Sequence, residues 1–289
     1  MQKYLILFII AALAVMFIAG CRRKNDSKPV ITVSIEPQRW LLERIGGERI
    51  GISVLMKGDA DPENFDPPMS TMIDAASGAA YMPVGCLDWE KPVIERLRDS
   101  KDIVVIVNTS AGIDFIMDTH SHGDEEHTHA DPHVWSSVRN ARIMAHNMLM
   151  GLLEIDPAGT EYYNTRYAQL DSELVALDRE YARSLKPMRD ETFLVWHPSL
   201  SYFARDYGLH QVAMGQENKE ISLIMMRQTL SDADTKNARV FFMQPQMDAG
   251  GKTDAVISRT GAVKCTVRPL APDWKQEMDS IVEALVKNR

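Results

Sequence analysis

Short apolar runs alternate along most of the chain with amphipathic stretches of about ten residues. Residues 31–35 read as a strand, 38–45 as a helix stopped by Gly46 and Gly47, and 50–56 as the next strand. The same alternation predicts a helix over 69–77, a strand over 79–84, a helix over 91–98 and a strand over 103–107. Strand and helix in turn imply parallel βα units, because a parallel neighbour needs a crossover that a helix supplies. The period then changes. Between Pro157 and Pro187, Tyr163, Tyr167, Leu170, Leu174, Leu177, Tyr181 and Leu185 recur at spacings of three and four, the apolar stripe of one long helix. About 25 residues at 1.5 Å each span roughly 38 Å. After it the alternation resumes, with strands over 193–195, 211–214, 240–243 and 263–267 and helices from Ser199, from Ser222, over 249–259 and over 274–286. The expected architecture is two α/β lobes with parallel sheets, joined by one long rigid helix.

The N-terminus follows a different rule. Residues 4–20 are almost wholly apolar, follow Lys3 and end in Ile18-Ala19-Gly20-Cys21, the pattern of a signal peptide cut before a cysteine. This reading makes residues 1–20 a lipoprotein signal peptide, Cys21 the lipidated residue, 21–29 a tether, 30–155 the first lobe, 156–188 the linking helix and 189–289 the second lobe. The body is then extracytoplasmic and anchored at a membrane surface. Seventeen apolar residues are also near the lower limit for an uncleaved span.

The net charge of −8 becomes −9 once Lys3 is removed, which disfavours nucleic acid and suits cations. With Cys21 carrying lipid, Cys86 and Cys265 form at most one disulfide, so a buried core must carry the stability. A mature length of 269 residues is ample for that.

Candidate chemistry is concentrated in residues 118–135. His120, His122, His127 and His129 fall within ten residues, interspersed with Asp124, Glu125 and Glu126, and His133 follows in Asp131-Pro132-His133-Val134-Trp135. Imidazole with carboxylate suits borderline divalent ions such as zinc. The four clustered histidines are expected to form a flexible accessory capture loop, 118–130, that raises the local metal concentration without a fixed site. Ligands in open α/β sheets bind beyond the carboxyl ends of strands. Glu63, His133 and His197 each follow a predicted strand in this way and are the candidate metal ligands, placed in the cleft between the lobes. Trp89, Trp135 and Trp196 read as packing beside that cleft.

In order and spacing, these motifs resemble the solute-binding proteins of metal ABC importers, the zinc-binding ZnuA-like and manganese-binding TroA-like group. Val33-Ser34-Ile35 with Ile45-Gly46-Gly47 is similar to the family's opening strand and helix, and Pro62-Glu63-Asn64-Phe65-Asp66-Pro67 stands where the family has Pro-His-x-Tyr-Glu-Pro. The segment 85–89 is similar to its Gly-x-x-x-Glu stretch, 131–135 and 197–209 to its second and third ligand motifs, and Glu220-Ile221-Ser222 to a later Glu-Pro-Ser. The resemblance implies capture of zinc, or of manganese, for delivery to an ABC permease of the cytoplasmic membrane by a monomer without catalytic activity. Alternatives are a manganese-specific binder, a metal-binding surface adhesin or store, and a zinc-dependent hydrolase, whose helical His-Glu-x-x-His signature this chain lacks.

Two positions depart from the family pattern. Glu63 replaces its first histidine, adding negative charge and moving the site toward harder ions. Arg268 stands where an aspartate often precedes Pro-Leu. It opposes a cation if it points at the metal, or pairs with a nearby carboxylate. The fourth ligand is then expected to be water, with Asp248 and Asp273 as protein candidates.

Overall fold

The computed structural model describes residues 28–58, 62–63, 65–99, 104–122, 125–214, 237–247 and 251–289. The first lobe holds a parallel sheet in the order β2-β1-β3-β4, built from β1 (Val30–Val33), β2 (Gly51–Val54), β3 (Ala80–Met82) and β4 (Val105–Ile106). Its crossovers carry α1 (Glu36–Gly46), α2 (Met69–Ala76) and α3 (Glu90–Arg98). All of β3 and the last three residues of β1 are buried, as expected of central parallel strands covered on both faces.

Next in the chain come β5 (Met117–His122) and β6 (Glu125–Ala130), an antiparallel ribbon with His120 opposite His127 and Asp118 opposite His129. Most of the segment expected as a loop, 118–130, thus forms two paired strands. The signal lay in Gly123-Asp124, a hairpin-type pair between two equal runs. The side chains of His120, His122 and His127 lie outside the described part of the structure, and so does their expected role in capture.

α4 (Val138–Ile155) and α5 (Thr160–Leu185) form an antiparallel pair. α5 is the long linking helix, 26 residues or about 39 Å. It buries Tyr163, Leu170, Leu174, Leu177, Tyr181 and Leu185, with Tyr167 half-buried. α4 has no counterpart in the sequence expectation. Its buried face is made largely of Ala141, Met144, Ala145, Met148 and Gly151, small or flexible residues that give a weak periodic signal. Gly151 is needed for close approach: a Cβ there would lie 2.7 Å from Val107 Cγ2 and 2.9 Å from Met82 Cε.

The second lobe repeats the first, with order β10-β9-β7-β8 from β7 (Thr192–Val195), β8 (His210–Ala213), β9 (Val240–Met243) and β10 (Val263–Thr266), all parallel. α6 (Ser201–Tyr207), α7 (Gly251–Thr260) and α8 (Trp274–Lys287) flank it. The side chains alternate between faces. Phe193, Val195 and Phe242 join the main core shared with α5 and α8, while Leu194, Phe241 and Met243 pack with Met214 and Val256 in a second cluster. The fold is thus two α/β lobes on one helix, as the alternation predicted. The strand expected over 103–107 is shorter, at Val105–Ile106. The helix expected from Ser222, the segment 220–222, Cys21 and the apolar run 4–20 lie outside the described residues. Among the described residues no helix is long and apolar enough to cross a membrane.

Several buried or half-buried polar contacts cross the lobe boundary. The Tyr202 hydroxyl donates to the Asp131 carbonyl at 2.7 Å and accepts from the Ile116 amide at 3.2 Å. Trp135 Nε1 donates to the Pro269 carbonyl at 2.9 Å, and Trp274 Nε1 to the Trp135 carbonyl at 2.7 Å. Trp40 and Trp274 stack at a tilt with centroids 5.2 Å apart. With one continuous helix behind them, these ties favour small adjustments over wide hinge opening.

Candidate metal centre

Glu63, His133 and His197 come from three separate segments and converge in the cleft. Each offers one ligand atom, and those atoms lie within 4.8 Å of one another. His133 Nε2 and His197 Nε2 are 3.2 Å apart, and Glu63 Oε1 is 3.4 Å from His197 Nε2 and 3.8 Å from His133 Nε2. Two ligands on a tetrahedral zinc with bonds of about 2.05 Å sit roughly 3.3 Å apart, so these separations match the edges of such a polyhedron. The two histidines are 1% and 7% exposed, and the Glu63 side chain 12%. Two imidazole nitrogens and a carboxylate oxygen gathered away from water make a donor set that a divalent cation fits.

The local structure aims each donor. His197 stands two residues beyond β7, and the Ser199 amide donates to its carbonyl at 2.8 Å. His133 follows the base of the β5–β6 ribbon. Asp131 Oδ1 accepts from both the His133 backbone amide and its ring Nδ1, each at 2.9 Å. With Nδ1 donating, the neutral ring keeps its Nε2 lone pair directed into the cleft, the usual carboxylate–histidine–metal arrangement. Burial pushes the Asp131 carboxyl up, but its contacts with His133 and Ser201 more than offset this and hold it below the ordinary carboxylate range. The tilted Trp135 ring, 5.3 Å from that of His133, closes one side of the imidazole. The sequence reading placed Asp131 in a motif without assigning it a role. Its position two residues before a candidate ligand was the available signal.

The loop that faces Glu63 is organised by a buried carboxylate. Glu90, 1% exposed, accepts from the Val84 and Gly85 amides, each at 2.7 Å, and contacts the Ser34 hydroxyl. Burial raises its carboxyl, against the pull of these donors. Gly85 adopts φ 97° and sits so close to Asn108 that a Cβ would lie 2.0 Å from its Oδ1. A cavity of about 200 Å³ lies beside the cleft, lined by Glu63, Cys86, Leu87, Asp88, His129, Ala130 and Pro132. Of the four clustered histidines, His129 thus reaches the edge of the site at the ribbon's base, and it is exposed there. Cys86 is a free thiol whose pKa burial pushes well up, and Cys265 is also free.

The other expected participants have different roles. Arg268 is exposed, and its backbone amide donates to Glu277 Oε1 at 2.7 Å. Asp273 caps α8 by accepting from the Gln276 amide at 3.1 Å and also accepts from Trp40 Nε1 at 3.2 Å, which places it outside the converging group. Asp248 lies outside the described residues.

Fold and donor set together define the class: a two-lobed α/β protein whose interlobe cleft gathers metal-binding side chains. The family described as zinc-uptake complex component A, periplasmic (ZnuA) matches residues 31–288, and the chain belongs to that family. The zinc-binding lipoprotein AdcA of Streptococcus pneumoniae serotype 4 is 25% identical over 271 residues, covering 90% of this chain and 54% of the relative. The chain therefore spans about half the length of the curated relatives it matches. Among solved structures, a zinc-bound ZnuA deletion mutant superposes with a TM-score of 0.80 at 29% identity, covering 91% of this chain and 98% of that one. The periplasmic zinc-binding protein TroA from Treponema pallidum shares the fold, with a TM-score of 0.77 at 18% identity, covering 91% and 99%.

Proposed function

We propose that this protein captures a divalent transition metal, zinc foremost, outside the cytoplasm and passes it to an ABC permease. The observation that carries this reading is the buried convergence of two imidazole nitrogens and one carboxylate oxygen at separations suited to zinc. In the proposed site Glu63, His133 and His197 are the protein ligands and water completes the shell. Glu63 lowers the net charge of the loaded site by one unit and leaves room for the harder manganese ion. Membership of the ZnuA family and likeness to AdcA support zinc and a transport role.

The site binds and releases its cargo without altering it. Asp131 holds the His133 ring in register, and Trp135, tied across the lobes to Pro269 and Trp274, packs against that ring. Release therefore requires only local movement. Lipidation at Cys21 would keep the body at the membrane beside its permease, and the β5–β6 ribbon, with four histidines in its sequence, would gather metal at the cleft edge.

The test is uptake of radioactive zinc by zinc-starved cells that depend on this protein. Cells carrying the parent chain should accumulate zinc, and cells carrying His197→Ala should fall to the level of cells lacking the protein. Equal uptake with His197→Ala would overturn the reading.

A further inference from the structure

The three candidate ligands are not held alike. His133 is fixed through Asp131 and Trp135, and His197 stands just beyond a central strand of the second sheet. Glu63 instead arrives on the connection from β2 to α2, away from either sheet. Both described neighbours of Glu63 on that connection meet one side chain. Trp89 Nε1 donates to the Pro62 carbonyl at 2.9 Å, and the Phe65 ring meets the Trp89 ring edge-on with centroids 5.0 Å apart. One contact precedes Glu63 and the other follows it, so Trp89 grips the segment on both sides of the carboxylate.

The grip comes from a rigid base. Trp89 is 7% exposed and immediately precedes Glu90, whose buried carboxylate ties down the amides of Val84 and Gly85. Fixing a ligand's backbone in advance lowers the ordering cost of binding and slows ligand departure. We infer that Trp89 is the positioning residue for the carboxylate ligand: it latches the Glu63 segment over the cleft and sets how fast the bound metal leaves. This rests on the metal-site reading above. The two histidines then stand on backbone tied to the sheets and the second lobe, and Glu63 on backbone held by Trp89, so weakening that hold speeds departure of the metal. Phenylalanine at position 89 keeps a ring against Phe65 but removes the N–H that holds Pro62.

The test is stopped-flow release of zinc to a colorimetric chelator from the full chain. Parent, Trp89→Phe, Phe65→Leu, Glu63→Ala and the Trp89→Phe/Glu63→Ala double variant are compared, with thermal unfolding of each metal-free protein as a folding check. Loss of one buried hydrogen bond predicts release about tenfold faster from Trp89→Phe than from the parent. Phe65→Leu, which keeps the hydrogen bond, should show a smaller acceleration. In the Glu63→Ala background, Trp89→Phe should add nothing, because the latch then holds no ligand. A merely structural role for Trp89 would accelerate release in both backgrounds, and that result would overturn the inference. Parent-like release from a folded Trp89→Phe would do the same while leaving the metal-site reading intact. A parent protein that holds no zinc would sink both.

Discussion

Replacing His133 with alanine is expected to weaken zinc binding by a few hundredfold while leaving the protein folded. A protein zinc site of four ligands is worth on the order of 10–16 kcal/mol, so one nitrogen ligand accounts for roughly 3–4 kcal/mol. The effect is large because the two remaining donors, Glu63 and His197, are 3.4 Å apart and span only one edge of the coordination shell. Water can replace the lost nitrogen but brings none of the preorganisation that the Asp131 contact supplies. Competition against a chelator of known affinity measures the change. His133 is buried, so alanine leaves a cavity, and unfolding of the metal-free variant must be followed alongside.

The second large effect is expected at a residue that does not touch the metal. Asp131→Asn preserves shape and offers the His133 ring an uncharged acceptor, so the imidazole loses the anion that orients it and strengthens its Nε2 donor. Substitutions of such supporting carboxylates cost about 10- to 100-fold in metal affinity, and that is the loss expected here in the same competition assay. The pH dependence follows from the direction of the Asp131 shift. Its folded-state pKa lies below the ordinary value, so its contribution is complete above that ordinary value, about 3.9, and is lost only as pH falls through the lower folded value. At mildly acid pH the aspartate contact is therefore intact in the parent.

Much of this arrangement was legible in the sequence because it is local. The apolar run 240–243 could hardly be anything but a buried strand, and the stripe from Tyr163 to Leu185 made one long helix. Three metal-type side chains each following a predicted strand pointed to a shared cleft, since parallel sheets in both lobes turn the ends of those strands toward it. Other features depended on partners far along the chain. α4 has the right period, but its buried face of alanine, methionine and glycine gives the weak signal that close packing against Val107 and Met82 demands. Trp89 and Trp135 read as packing residues, yet each also uses its ring N–H on a carbonyl at least 27 residues away in sequence. Arg268 left two alternatives open in the sequence, opposing the metal or meeting a nearby carboxylate, and the structure sets it beside a carboxylate: its backbone amide donates to Glu277 at the start of the last helix.

The most direct test of the account is X-ray absorption at the zinc edge of protein loaded with one equivalent of zinc, recorded for the parent and for a His133→Ala/His197→Ala double variant. The account predicts two imidazoles and further oxygen ligands at about 2.0–2.2 Å in the parent, with the imidazole signature lost in the double variant. A shell of three or four imidazoles that survives both substitutions would place the metal on the histidine ribbon and contradict the cleft as the site of capture.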